Sequence, residues 1–161
     1  MTSTTRTAER SPLRWPAAAI AVTIAAAHVP ITAQHLSEAP YIGVSFVVLE
    51  VVAVVLAVGL VAWDSVAMWR TAVIVPTLAL IAFVVTRLVP LPQIADDLGN
   101  WTEPLSFVAM TAEALLLILA VIHITNPRQR SRLVARPVVL AVALLVIGLA
   151  AITVAASMSS G

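Results

Sequence analysis

The 161-residue chain has no cysteine and no lysine. Without cysteine it forms no disulfide, no thiolate metal site and no CxxC redox pair. Without lysine, all nine cationic side chains are arginines, which with the abundance of Ala and Val reads as the codon bias of a GC-rich bacterial genome. Charge is scarce: 11% of residues are Asp, Glu, Lys or Arg, against about 25% in ordinary soluble proteins. The motifs of many enzymes are missing as well. No HExxH, Walker, GxSxG or Rossmann pattern occurs. "DDLGN" lacks the oxygen spacing of an EF-hand loop, and nothing suggests nucleic-acid binding. The composition leans away from an enzyme without excluding one.

Aliphatic side chain fills the space left by these absences. Hydrophobic residues make up 61% of the chain, more than a soluble fold of this length can hide, so lipid must cover part of it. Five apolar segments stand out, at about 16–36, 40–63, 69–89, 104–124 and 138–158, each near the ~20 residues that span a hydrocarbon core. The expected fold is all-α, a polytopic transmembrane helical bundle of five spans forming one membrane domain over 16–158. Residues 1–15 form a basic tail and 159–161 a short tail at the other end.

The connectors sort by charge. Arg6, Arg10 and Arg14 precede the first span, Arg70 follows the second, and Arg128, Arg130, Arg132 and Arg136 lie in the loop 125–137 after the fourth. These are alternate connectors and therefore share one side of the membrane. The other side carries Glu38, Asp96, Asp97 and Glu103, the last three in a loop at 90–103, with Arg87 as its single basic residue. The positive-inside rule places the N-terminus in the cytoplasm and the C-terminus outside, in a multi-pass protein of the bacterial inner membrane. Trp15, Trp63, Trp69 and Trp101 all fall at span ends, where indoles favour the interface. An alternative concerns the first segment: "TTRTAERSPLRW" before an apolar run also resembles a signal peptide, and cleavage after Ala33 leaves four spans and removes His28. Pro40 and Pro104 open spans two and four, with Ser37 and Thr102 as expected caps.

Ionisable groups inside spans are expensive and face a bundle interior or a wet cavity. Here they are His28, Glu50 and Glu113, with His123 near an inner end. His28 lies about 12 Å from the outer end of its helix, and Glu50 and Glu113 each about 13.5 Å from theirs. Three helices thus bring a titratable group to one depth, in the outer half of the membrane. His28, Thr32 and His35 share a stripe at i, i+4, i+7, as do Ser106, Met110 and Glu113. Gly43, seven residues before Glu50, suits a close helix approach. The expected site is a pocket of His28, Glu50 and Glu113, with Thr32, His35, Glu38 and Arg87 at its entrance and Ser106 and Met110 as secondary members. The same trio offers a His/carboxylate set for a divalent metal ion. Haem within one copy is disfavoured, because His28 and His123 differ by about 16 Å in depth. The bland reading is that each glutamate is bonded to a neighbouring helix and only fixes the packing.

"AHVPITAQHLSEAPYIGVSF" together with "TRLVPLPQIADDLGNWTEPLSF" and the glutamate beyond it resembles small, uncharacterised polytopic membrane proteins of actinobacteria. The resemblance covers the first four spans and the acidic loop. It implies a shared four-helix core and supplies no activity, cofactor or substrate. The leading expectation is a small membrane protein whose outward-half pocket binds a cation or relays protons, with a link to transport. An accessory or scaffold subunit, in a homo-oligomer or a larger membrane complex, is the main alternative. A quinone- or lipid-linked redox subunit is the weaker one.

Overall fold

The computed structural model describes residues 10–125. The expected fifth span at 138–158, most of the basic loop and both terminal tails, apart from residues 10–15, lie outside the described residues. Four long helices account for most of the remainder: α1 (Arg14–Glu38), α2 (Pro40–Ala62), α3 (Val66–Leu88) and α4 (Pro104–Thr125). A short 3-10 turn at Ala95–Asp97 lies between α3 and α4. No strand occurs among the described residues. The helices have 25, 23, 23 and 22 residues, or about 33–38 Å each. All four are long and apolar enough to cross a membrane.

The helices run alternately up and down in a ring. α1 packs most extensively on α2, α4 lies against both α1 and α3, and α2 and α3 form the loosest seam. Glu38 at the α1–α2 turn and Asp96, Asp97 and Glu103 of the α3–α4 loop lie at one end, called here the acidic end. The turn from α1 to α2 is a single residue, Ala39, whose N–H donates to the His35 carbonyl at 2.8 Å. Pro40 at the first helical position has no N–H to satisfy, and no side chain caps α2. Ser37, the expected cap, instead donates to the Gln34 carbonyl at 2.7 Å. The turn is tight because Gly43 lies against the backbone of Leu36: a Cβ there would stand 2.5 Å from the Leu36 nitrogen.

α3 begins three residues earlier than its hydropathy suggests. Ser65 takes an extended conformation and its Oγ accepts the Met68 N–H at 3.3 Å, so a hydroxyl cap sets the start. Asp64 before it has φ +44°, which turns the chain sharply between α2 and α3. Pro30 and Pro76 sit inside unbroken helices. The core is a seam of small and aliphatic residues. Ala17, Ile20, Ala21, Ile24 and Ala27 of α1 meet Leu56 and Leu60 of α2 and Ala112, Leu116 and Ala120 of α4, all almost fully buried. Alanines let the backbones approach, and association in lipid rests on such packing. The outward stripe of α2 is the reverse case: Val44, Val48, Val51, Val55 and Val58 are spaced alternately four and three residues apart, and all are more than half exposed. A surface of that chemistry matches acyl chains.

Candidate functional site

The stripe on α1 forms as its spacing suggests. His28 Nδ1 lies 2.9 Å from the Ile24 carbonyl and His35 Nδ1 lies 2.9 Å from the Ile31 carbonyl. A carbonyl only accepts, so Nδ1 carries the proton in each neutral ring and Nε2 is left as an acceptor. Phe46 of α2 lies between the two imidazoles, 5.0 Å from each ring centroid. It thereby fixes both rings at the wall of a cavity.

That cavity, of about 370 Å³, occupies the acidic half of the bundle and draws on all four helices. Its walls are mostly apolar: Ile42, Phe46, Leu49 and Val52 of α2; Val75, Leu78, Ala79, Ala82 and Phe83 of α3; Ala109 and Met110 of α4. Polar groups occur in two places. At the rim stand Arg87, Asp97, Glu103, Ser106 and His35; deeper in stand His28 and Glu113. A predominantly apolar space with a few convergent polar groups is the usual form of a small-ligand site.

The rim is organised by Arg87, whose side chain is 4% exposed. Its Nη1 lies 2.9 Å from Asp97 Oδ1 and its Nη2 lies 3.6 Å from Glu103 Oε2. Nη1 also donates to the Asp97 carbonyl at 3.4 Å, and Nη2 to Ser106 Oγ at 3.3 Å. Ser106 in turn donates to Glu103 Oε2 at 2.6 Å, and the guanidinium lies 4.8 Å from the centroid of Phe83. Arg87 thus holds the 89–103 loop over the acidic end. The loop is fastened a second time by the Tyr41 hydroxyl, which donates to the Pro92 carbonyl at 2.6 Å.

The deep group is different. Glu113 is 3% exposed, lines the cavity and makes no hydrogen bond or ion pair among the described residues. Burying a polar group without a partner is costly, and buried carboxyl oxygens are normally satisfied. Among the described residues nothing supplies that partner, and the carboxyl faces the cavity.

The structure separates the residues singled out in the sequence. His28, His35, Arg87, Ser106, Met110 and Glu113 line one cavity. Glu50, half-buried, lies on the seam between α1 and α2 and accepts from Thr32 Oγ1 at 2.5 Å. Thr32 also donates to the His28 carbonyl at 3.0 Å, and neither Glu50 nor Thr32 lines the cavity. Glu38 is exposed and accepts from Gln34 Nε2 at 3.2 Å on both oxygens, away from Arg87. Among the described residues no three His, Asp or Glu side chains stand where one metal ion could reach them, so His28, Glu50 and Glu113 do not make a shared ligand set. Asp97, Glu103 and Phe46 belong to the cavity although the pattern did not mark them. For Phe46 a signal existed, since it follows Gly43 by three residues and precedes Glu50 by four.

A second polar cluster closes the opposite end. Trp69, expected at the lipid interface, is instead 1% exposed. It stacks on His123 with centroids 3.7 Å apart and an interplanar angle of 7°. The Trp69 indole donates to Asp64 Oδ1 at 2.7 Å, the Ser11 N–H donates to Asp64 Oδ2, and His123 Nδ1 lies 3.1 Å from Ser11 Oγ. This cluster ties the chain before α1 to the α2–α3 turn and to the end of α4. Trp15, Trp63 and Trp101 are exposed, as interfacial indoles should be.

No family model matches the chain, and comparison with curated proteins and with solved structures finds no match.

Proposed function

We propose that the protein binds a cation in the acidic half of the bundle and exchanges it there for a proton, with Glu113 as the exchanging group. The observation that carries this reading is Glu113 itself: a carboxyl 3% exposed, on the wall of a cavity, with no partner among the described residues. Ionisable side chains inside membrane spans mark ion and proton pathways. His28 faces the same space and offers Nε2 as a second acceptor. Arg87 does not neutralise Glu113, because it is engaged by Asp97 and Glu103 at the rim.

In this reading the protein is a multi-pass protein of the bacterial inner membrane with five spans. The arginine-rich connectors lie in the cytoplasm and the acidic end lies outside, as the arginine distribution favours. Acidic side chains at the outer mouth raise the local concentration of cations.

The test is cation-driven proton movement. The full chain is placed in liposomes holding a trapped pH dye, and sodium, magnesium or tetraphenylphosphonium salts are added outside. Wild type should change the internal pH with at least one of them, and Glu113→Gln should reduce the rate at least tenfold. Equal rates for Glu113→Gln and wild type would show that the pocket is structural.

A further inference from the structure

We infer that the cation is organic and amphiphilic, a monocation with an apolar body, which reaches the cavity sideways from the bilayer between α2 and α3. The inference rests on Glu113 as the cation-exchanging group and adds the chemistry of the ligand.

Size comes first. The cavity of about 370 Å³ would hold on the order of ten waters, each taking about 30 Å³. An inorganic ion there would need either that much water against aliphatic walls or several protein ligands. The walls do not hydrate such a cluster, and no set of three acidic or imidazole groups is arranged to bind an ion among the described residues. An apolar body fills the space without either requirement.

Charge comes second. The cavity wall carries the carboxyl groups of Asp97, Glu103 and Glu113 against the single guanidinium of Arg87. Arg87 is shared by the first two, which leaves Glu113 as the excess acid. Phe46 lines the same space, and a desolvated organic cation that reaches the face of its ring gains further attraction. Among the described residues the guanidinium on this wall is already paired with two carboxylates and so does not favour an anionic ligand.

Access comes third. α2 and α3 pack less closely than the other neighbouring pairs. Val48 on α2 and Leu78 on α3 both line the cavity, yet are 56% and 61% exposed. Among the described residues the wall between these helices is thin and its outer side is exposed and apolar, as suits contact with lipid. A ligand that partitions into the bilayer can enter there without crossing the Arg87 rim. In the proposed exchange the carboxyl of Glu113 is protonated while the cavity is empty. On binding, the carboxyl releases that proton to water and pairs with the cation, so one charge replaces another and no covalent bond to carbon changes.

The probe is radiolabelled tetraphenylphosphonium, measured at equilibrium on the full chain in detergent. Benzyltrimethylammonium and its neutral isostere neopentylbenzene serve as competitors. Wild type should bind with release of one proton, read by a dye in weak buffer. Benzyltrimethylammonium should displace the probe and neopentylbenzene should not. Glu113→Gln should weaken binding at least tenfold and abolish proton release. Glu113→Asp, which keeps the charge, should retain binding and so guard against a folding defect. Displacement by neopentylbenzene as strong as by the ammonium, or unchanged binding in Glu113→Gln, overturns the inference. If wild type ignores tetraphenylphosphonium while sodium or magnesium still drives Glu113-dependent proton movement in liposomes, the organic ligand is wrong and the proton-exchange reading stands. If Glu113→Gln matches wild type in both assays, both readings fall.

Discussion

Arg87 and Asp97 form one ion pair, and removing either partner breaks it, but the two losses should differ. The Arg87 side chain is 4% exposed, whereas those of Asp97 and Glu103 are 23% and 35% exposed. Asp97→Ala leaves a guanidinium in a dry place with its Nε already unsatisfied. What remains to it is Glu103 at 3.6 Å, Ser106 at 3.3 Å and the backbone carbonyl of residue 97 at 3.4 Å. Stranding a buried charge costs about 3–5 kcal/mol, and these surviving contacts place the loss at the low end, about 3 kcal/mol. Arg87→Met leaves two carboxylates that water already reaches, and the methionine keeps the apolar stem beside Phe83. The loss then approaches that of a surface pair, about 1 kcal/mol. At about 2–4 °C per kcal/mol for a chain of this size, Asp97→Ala should lower the apparent Tm by about 6–12 °C and Arg87→Met by about 2–4 °C. Intrinsic tryptophan fluorescence in one detergent, at one scan rate, reads both. The double variant should fall between them, because the stranded charge is gone. If Arg87→Met is as damaging as Asp97→Ala, burial of the guanidinium does not set the energetics of the rim.

Two further substitutions address the hairpin of α1 and α2. Gly43→Ala places a methyl 2.5 Å from the Leu36 nitrogen and 2.6 Å from its Cα. Backbone cannot step aside cheaply, so the helices must splay, with a loss of about 1–3 kcal/mol and a lower Tm in the same assay; an unchanged Tm would mean that the one-residue turn accommodates a methyl without cost. Thr32→Val removes the hydroxyl that Glu50 accepts from at 2.5 Å without changing shape, and should cost about 1–3 kcal/mol. It should leave cation-driven proton movement within twofold of wild type, since neither residue lines the cavity; a tenfold loss in the liposome assay would draw Glu50 into the pathway.

The four long apolar helices were legible because hydropathy reports length and proline reports starts: Pro40 and Pro104 are the first residues of α2 and α4. The start of α3 was not, because its cue is a single hydroxyl at Ser65 beside an unusual backbone at Asp64. The fixed rise per residue puts His28 and Glu113 at similar distances from their helix ends, and both line one cavity. Rotation was not legible. Glu50 follows Leu49, which lines the cavity, and one residue turns a helix by about 100°. When almost every neighbour is apolar, no periodicity says which of the two faces inward. The rim was hidden for another reason: Asp97 reaches Arg87 across a loop whose path depends on Gln93 and Gly99 at positive φ. Trp69 was misplaced because a tryptophan at a span end fits the interface and a stack on His123 equally well.

The acids of the chain differ in what partners them. Glu50 has Thr32, Glu38 has Gln34, Asp64 has Ser11 and Trp69, and Asp97 and Glu103 have Arg87. Asp96 is exposed, so water serves it. Glu113 alone among the described carboxyl groups combines near-complete burial with no partner among the described residues. The fold does not need it there. Ala109 and Leu116 follow the same run of α4 and are buried at no polar cost, and an alanine at 113 would avoid burying a carboxyl. A membrane helix that retains so expensive a side chain is stabilised less than it could be whenever the cavity is empty. Among the described residues nothing meets the carboxyl, and an occupant of the cavity that does so offsets that deficit. For this reason replacement of Glu113 by a smaller apolar residue should raise the Tm of the empty protein even as it removes binding; a fall in Tm would instead make Glu113 part of the packing.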